Sequence, residues 1–217
     1  MSKTKPSIGF VGLGLMGAAM VERLQAMGYD DLTVIAHRKR AAIEAAVARG
    51  AKEVVTPGEL AAASDIVMLC VDTSASVEAN MNGADGIIAN IRSGSLVIDF
   101  GTSLPDSTRT LEAALNAKGA AMMDAPLGRT PAHAIDGLLN IMAGGSAEDF
   151  ARAKPVLDDL GENVFHVGPT GTGHTLKLIN NFFGMTVACA MSEAFAMADQ
   201  AGLARQTLYD VMSSGPL

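Results

Sequence analysis

The chain is expected to fold as an α/β protein: a parallel sheet covered by helices on both faces, followed by an all-α segment that opens on one long helix. Three observations predict this. Short apolar runs alternate with helical patterns through the first half of the chain. The runs are continuously apolar rather than alternating, as strands buried on both faces are. From Thr172 onward the rhythm gives way to a single helical pattern without proline. Taken in order, strands are read at Ser7–Val11, Leu32–Ala36, Ile66–Val71, Leu96–Phe100 and Ala120–Met123. Helices are read near Met16–Met27, Arg40–Arg49, Pro57–Ala62, Ser76–Asn80 and Pro105–Lys118. Gly28, Gly50 and Gly119 fall just past helical stretches, where a left-handed cap is favoured. After Pro126, strands are read at Leu138–Ala143 and Asn163–Val167, with a helix at Ala147–Leu160 between them. The long helix runs from Thr172 to about Ala201, and another begins near Ala204. The breaker Gly168–Pro169 sets the expected boundary between a domain over residues 1–168 and one over 169–217.

Composition narrows the function classes. Of 217 residues, 49% are hydrophobic and 18% charged, the balance of a folding chain rather than a disordered one. Aromatics are only 4%, so aliphatic residues and the thirteen Met must fill the core. The net charge of −7 and the lack of a basic stripe argue against nucleic-acid binding. No apolar stretch approaches the roughly 20 residues of a membrane span, and Ile8–Val11 is too short for a signal-peptide core, so a cytoplasmic location is expected. Cys70 and Cys189 match no metal or redox spacing and are read as buried small hydrophobes. No His, Cys or carboxylate grouping has metal-ligand spacing, so no metal is expected.

Gly12-Leu13-Gly14-Leu15-Met16-Gly17 follows an apolar run and opens a helical pattern. In that context G-x-G-x-x-G is the phosphate loop of a Rossmann dinucleotide-binding domain. Gly12 permits the turn, Gly14 lets a pyrophosphate approach the backbone, and Gly17 lets helix and strand pack closely; Leu15 and Met16 begin the helix whose free N–H groups face the phosphates. An acidic residue about 20 positions on would select NAD. Here that position is His37, followed by Arg38, Lys39 and Arg40, a cationic cluster that suits the 2′-phosphate of NADP; NADP is therefore expected to be preferred over NAD. Ligands bind at the carboxyl ends of such strands, so Val71, Asp72, Thr73 and the Gly101–Ser103 loop are expected to line the groove. Asp99 is read as holding a strand end.

Gly168-Pro-Thr-Gly171-Thr-Gly173-His-Thr-Leu-Lys177-Leu-Ile-Asn180-Asn181 is the second informative stretch. Lys177 and Asn181 lie four apart and share a helical face. A lysine losing solvation beside a cofactor pocket becomes a usable proton donor near neutral pH. Spacing alone leaves this open against a snorkelling surface lysine.

Three motifs in order, Gly9-Phe-Val-Gly-Leu-Gly-Leu-Met-Gly17, Asp124-Ala-Pro-Leu127 and Gly171-Thr-Gly-His-Thr-Leu-Lys-Leu-Ile-Asn-Asn181, give the whole chain a resemblance to the β-hydroxyacid dehydrogenases. That family includes enzymes acting on 3-hydroxyisobutyrate, tartronate semialdehyde and sulfolactaldehyde. The resemblance implies that Lys177 is the catalytic acid/base, that Asn181 positions substrate, and that Thr102 approaches the nicotinamide and substrate. The Ser that usually precedes that Thr is Gly101 here. Imine-reducing relatives replace the Lys, so Lys177 argues against them.

Where the family commonly has Ser-Gly-Gly, this chain has Gly128-Arg129-Thr130, a variant similar to that of sulfolactaldehyde reductases. The Arg129 fork suits a sulfonate or carboxylate, Gly128 lets an anion reach backbone N–H groups, and Thr130 adds a hydroxyl. Alternatively Arg129 pairs with a carboxylate such as Asp124 and only shapes the loop. The expected substrate is a short anionic aldehyde or its hydroxy acid. His133, His166 and His174 receive no role. Family members continue for several helices after a segment like Val211-Met-Ser-Ser-Gly-Pro, so a partial helical domain is expected. Its long helix should then present an apolar face (Phe182, Phe183, Met185, Val187, Met191, Phe195) to a partner chain, as in a homo-oligomer. A cofactor-binding module without turnover is the alternative function.

Overall fold

In the computed structural model, which describes residues 5–35 and 40–215, the continuously apolar runs become the centre of a sheet. The first elements in chain order are β1 (Ile8–Val11), α1 (Leu15–Ala26), β2 (Leu32–Ile35), α2 (Arg40–Ala48), β3 (Lys52–Val54), α3 (Pro57–Ala63) and β4 (Ile66–Leu69). Next come α4 (Ser74–Met81), α5 (Ile87–Asn90), β5 (Leu96–Asp99), α6 (Pro105–Asn116), β6 (Ala121–Asp124), β7 (Leu127–Gly128) and α7 (Pro131–Ile135). The last are β8 (Leu139–Gly144), α8 (Ala147–Leu160), β9 (Gly161–Gly168), α9 (Thr172–Gln200) and α10 (Arg205–Ser213).

The strand order is β3-β2-β1-β4-β5-β6-β8-β7, with β9 pairing β8. The first six are parallel, the order of a doubly wound dinucleotide fold whose direction of winding reverses between β1 and β4. β8 closes the far side antiparallel to β6 and β7. Successive strand residues serve opposite faces. Ile8, Phe10, Met68 and Ile98 enter one core, with residues of α1, α2 and α8; Val11, Val67, Leu69 and Val97 enter the other, with α3 to α6. Both faces being covered is why these strands carry no polar alternation.

β3 was not expected from the sequence. Lys52 and Glu53 are exposed and the strand sits at the sheet edge, where only its pairing with β2 defines it. α5, β7 and α7 are likewise additions, each too short to carry a periodic signal.

The described chain divides into two compact units, Met1–Lys177 and Leu178–Leu217. In the second unit, Arg205 at the start of α10 grips Asp199 of α9 through Nε at 2.9 Å and Nη2 at 2.6 Å. Phe182, Phe183 and Met185 are exposed, the first at 73%. Phe195 is half-buried, in a groove with Ser192, Ala196 and Arg205. Cys189 is also exposed, contrary to its expected burial, because that part of α9 has no facing element within its unit; Cys70 is half-buried, and burial pushes its thiol up to about 12. Among the described residues no helix is long and apolar enough to cross a membrane, and no group of His, Cys, Asp and Glu could hold a metal ion.

Candidate active site

Strand register places the site. Val11 pairs with Leu69, Leu69 with Asp99, and Asp99 with Asp124, so four strands end in one row. The loops that leave this row, after β1, β4, β5 and β6, converge at one edge of the sheet, across the point where the winding reverses.

The β1–α1 loop is built for close contact on one side and for open space on the other. Gly12 has φ +96°, and a Cβ there would meet the Cys70 carbonyl oxygen at 2.3 Å. A Cβ on Gly17 would lie 1.9 Å from the Gly12 carbonyl oxygen. Neither position admits another residue without displacing backbone. Gly14 differs: a Cβ there would meet nothing within 4 Å, so no protein contact explains its lack of a side chain. Gly14 is also the N-cap of α1, gives no side-chain cap, and is followed by a first turn without acidic residues. Leu15 is 85% exposed beside it, and Met16 is half-buried against the core. An uncapped helix N-terminus behind an open glycine fits a pyrophosphate, which supplies the missing acceptors and fills the space.

The neighbouring loops complete the edge. Thr73 caps α4 by accepting from the Ser76 N–H at 3.1 Å, and Ser76 Oγ donates to Asp72 at 2.8 Å, while Val71 is half-buried against Gly12. Thr102 is exposed, but both its neighbours are held. The Gly101 N–H donates to Asp99 Oδ1 at 2.8 Å and Ser103 Oγ donates to Asp99 Oδ2 at 2.7 Å. Asp99, at the very end of β5, is fully buried.

Asp124, the last residue of β6, anchors the start of α9. Its two oxygens accept the N–H groups of Gly171 and His174, each at 2.6 Å. Burial nevertheless pushes its carboxyl above the usual carboxylate range, against the pull of those donors and of His174. Lys177 lies one turn beyond His174. It is half-buried, and loss of solvation lowers the pKa of its amine. Asn181, four residues on in the same helix, is exposed.

In the β6–β8 region, Gly128 pairs with Asn140 across β7 and β8, and Thr130 leads into α7 with its hydroxyl 2.7 Å from His133 Nδ1. Arg129 has φ +77°, a conformation that side chains other than Gly rarely adopt. Its Nη1 donates to the Leu138 carbonyl at 2.7 Å and to Glu162 at 2.6 Å, so its carboxylate partner is Glu162 and not Asp124. His37, Arg38 and Lys39 lie outside the described residues. Arg40, the fourth member of that cluster, is engaged elsewhere, its two terminal nitrogens on Glu53 at 2.6 and 3.0 Å.

The family model for the NAD binding domain of 6-phosphogluconate dehydrogenase matches residues 7–168, and the one for the NAD-binding region of NADP-dependent 3-hydroxyisobutyrate dehydrogenase matches 171–216. The chain belongs to the β-hydroxyacid dehydrogenase family. It is 35% identical to the NAD-dependent L-serine dehydrogenase of Pseudomonas aeruginosa over 96% of its own length and 70% of that protein's. It is 32% identical to the 3-sulfolactaldehyde reductase of Escherichia coli over 95% of its own length and 69% of that protein's. The solved structure of Mycobacterium tuberculosis 3-hydroxyisobutyrate dehydrogenase with L-serine superposes with a TM-score of 0.87 at 29% identity, covering 97% of this chain and 70% of that one. This β-hydroxyacid dehydrogenase is therefore an NAD(P)-dependent oxidoreductase of small hydroxy acids, and its Gly12–Gly17 loop fits the cofactor on steric grounds.

Proposed function

We propose that this dehydrogenase interconverts a short aldehyde bearing a sulfonate or carboxylate and the corresponding hydroxy acid, with Lys177 as acid/base. The observation that carries the proposal is a half-buried lysine whose amine is made easier to deprotonate by burial, in the helix that Asp124 anchors beside the cofactor edge. When bound, the reduced nicotinamide supplies a hydride to the aldehyde carbon. Lys177 stabilises the negative charge that grows on the carbonyl oxygen and donates its proton there. Asn181 holds that oxygen or its neighbour, and Thr102 approaches the nicotinamide and substrate. In the oxidative direction neutral Lys177 takes the hydroxyl proton. His37, Arg38 and Lys39 offer positive charge to a 2′-phosphate with no acidic selector among them, so NADP is the preferred cofactor. The exposed apolar side of α9 serves as a contact face of a homo-oligomer.

Gly128, Arg129 and Thr130 hold the substrate's anion. An Arg kept at positive φ, where Gly would be unstrained, supports a role for its side chain. Arg129→Gly should relieve the backbone and leave stability unchanged or higher. It should raise KM for an anionic aldehyde by roughly 10- to 100-fold, the loss of one charge-assisted interaction of about 1.5–3 kcal/mol, with kcat held. Glu162 competes with that anion for Nη1. Glu162→Gln should lower KM, by no more than about fivefold, since a half-exposed ion pair contributes about 0.2–1 kcal/mol. Steady-state kinetics with 3-sulfolactaldehyde, succinic semialdehyde and a neutral aldehyde of similar size test both. A KM for the neutral aldehyde that rises equally in Arg129→Gly would remove the anion-binding role.

A further inference from the structure

The buried end of the site holds a group to which no role has been assigned. His174 is fully buried, and so are Asp99 and Asp124 on either side of it. Its Nε2 lies 3.6 Å from Asp99 Oδ2, and its Nδ1 lies 3.8 Å from Asp124 Oδ2. Thr108 Oγ1 lies 2.8 Å from His174 Nδ1 and 3.2 Å from the Leu104 carbonyl, and its one proton can serve either; donation to the nearer Nδ1 places the ring hydrogen on Nε2, facing Asp99. Nε2 has no hydrogen-bond partner, an uncommon state for a buried polar atom and the only such side-chain atom among the described residues.

The two carboxylates are not equivalent props. Asp99 holds Gly101 and Ser103, the residues on either side of Thr102. Asp124 holds Gly171 and the backbone of His174, the turn that launches the helix of Lys177. His174 is the side chain that stands between these two clamps, while Thr108 of α6 fixes the plane of its ring.

We propose that His174 is a positioning residue: it ties the Thr102 loop, through Asp99, to the first turn of α9, and so sets where the Lys177 amine stands at the cofactor edge. The inference rests on the role given to Lys177 above. A residue that merely filled space would not need a ring nitrogen facing a carboxylate, and an apolar side chain of the same volume would leave no buried atom unpaired. A small displacement of a catalytic group is costly, on the order of 10²-fold in rate for about 1 Å.

The test uses the full chain and three variants, His174→Ala, His174→Gln and Thr108→Val. Two readouts are taken: kcat and KM separately, and the pH midpoint for labelling of Lys177 by an amine-reactive reagent, followed by mass spectrometry. His174→Ala should lower kcat on the order of 10²-fold, leave the cofactor Kd within a few-fold, and move the labelling midpoint up toward that of an ordinary lysine. His174→Gln, which keeps an N–H in place of the ring N–H, should recover most of both. Thr108→Val should lower kcat in the same direction and carries the test if His174→Ala does not fold. If the parent chain turns over no aldehyde, the reductase reading fails and the labelling midpoint alone decides this one. A midpoint and kcat unchanged in His174→Ala, or losses that track the melting temperature and are not rescued by Gln, overturn it.

Discussion

Lys177→Ala is expected to lower kcat/KM by about 10²–10⁴-fold, the range that a positioned general acid contributes, with the NAD(P)H dissociation constant unchanged. Isothermal titration beside a turnover assay separates the two quantities. Burial lowers the amine pKa, which fixes the sign of the pH dependence. Oxidation of the hydroxy acid needs the neutral amine, so its rate rises with pH through a value below that of an ordinary lysine. Reduction of the aldehyde needs the ammonium, so its rate falls through the same value. The stability effect is opposite in character. A folded-state pKa below the unfolded one contributes stability above the unfolded pKa, and that contribution is lost as pH falls through the folded value. Lys177→Met, which keeps the stem and drops the charge, should therefore be at least as stable as the parent at neutral pH while being inactive. Urea denaturation of the pair checks this; a Met variant clearly less stable would mean that the ammonium is not desolvated.

The second large effect separates two glycines that a motif treats alike. Gly17→Ala puts a Cβ 1.9 Å from the Gly12 carbonyl oxygen and must push α1 off β1, so it should unfold the loop and cost several kcal/mol of stability. A Cβ at Gly14 meets no protein atom within 4 Å, so Gly14→Val should melt like the parent. It should weaken NAD(P)H by roughly 10²-fold, as about 3 kcal/mol of backbone contact to the pyrophosphate is blocked. Thermal melts and cofactor titrations on both variants read the contrast. Loss of stability in Gly14→Val would mean that the loop closes on itself and the open space above Gly14 is not the cofactor's.

Much of this was legible in the sequence because burial on both faces leaves an unmistakable trace. β1 and β4 are continuous apolar runs, β2 is broken only by Thr33, β5 and β6 only by their final Asp, and α8 spans the expected Ala147–Leu160. β3 left no trace because an edge strand held by backbone pairing needs no apolar side chains, and Lys52 and Glu53 face solvent. The G-x-G-x-x-G loop and the Lys177 helix could be read because each is contiguous. The Asp99–His174–Asp124 cluster could not, since its members come from three elements far apart in the chain and meet only through sheet register. Its one visible signal was a carboxylate at or just after the end of each of two buried strands, Asp99 and Asp124, where charge is out of place unless something holds it. Arg129 shows the same limit: its residue type suited an anion, but its partner Glu162 and its positive φ are properties of the folded loop.

The most direct test of the account is to mix the full chain with NADPH or NADH and then add 3-sulfolactaldehyde or succinic semialdehyde, following cofactor oxidation. Oxidation that depends on the aldehyde, is faster with NADPH, and disappears in Lys177→Ala is the predicted result. Tight cofactor binding with no oxidation by any anionic aldehyde would contradict it, and the chain would then be a dinucleotide-binding module without turnover.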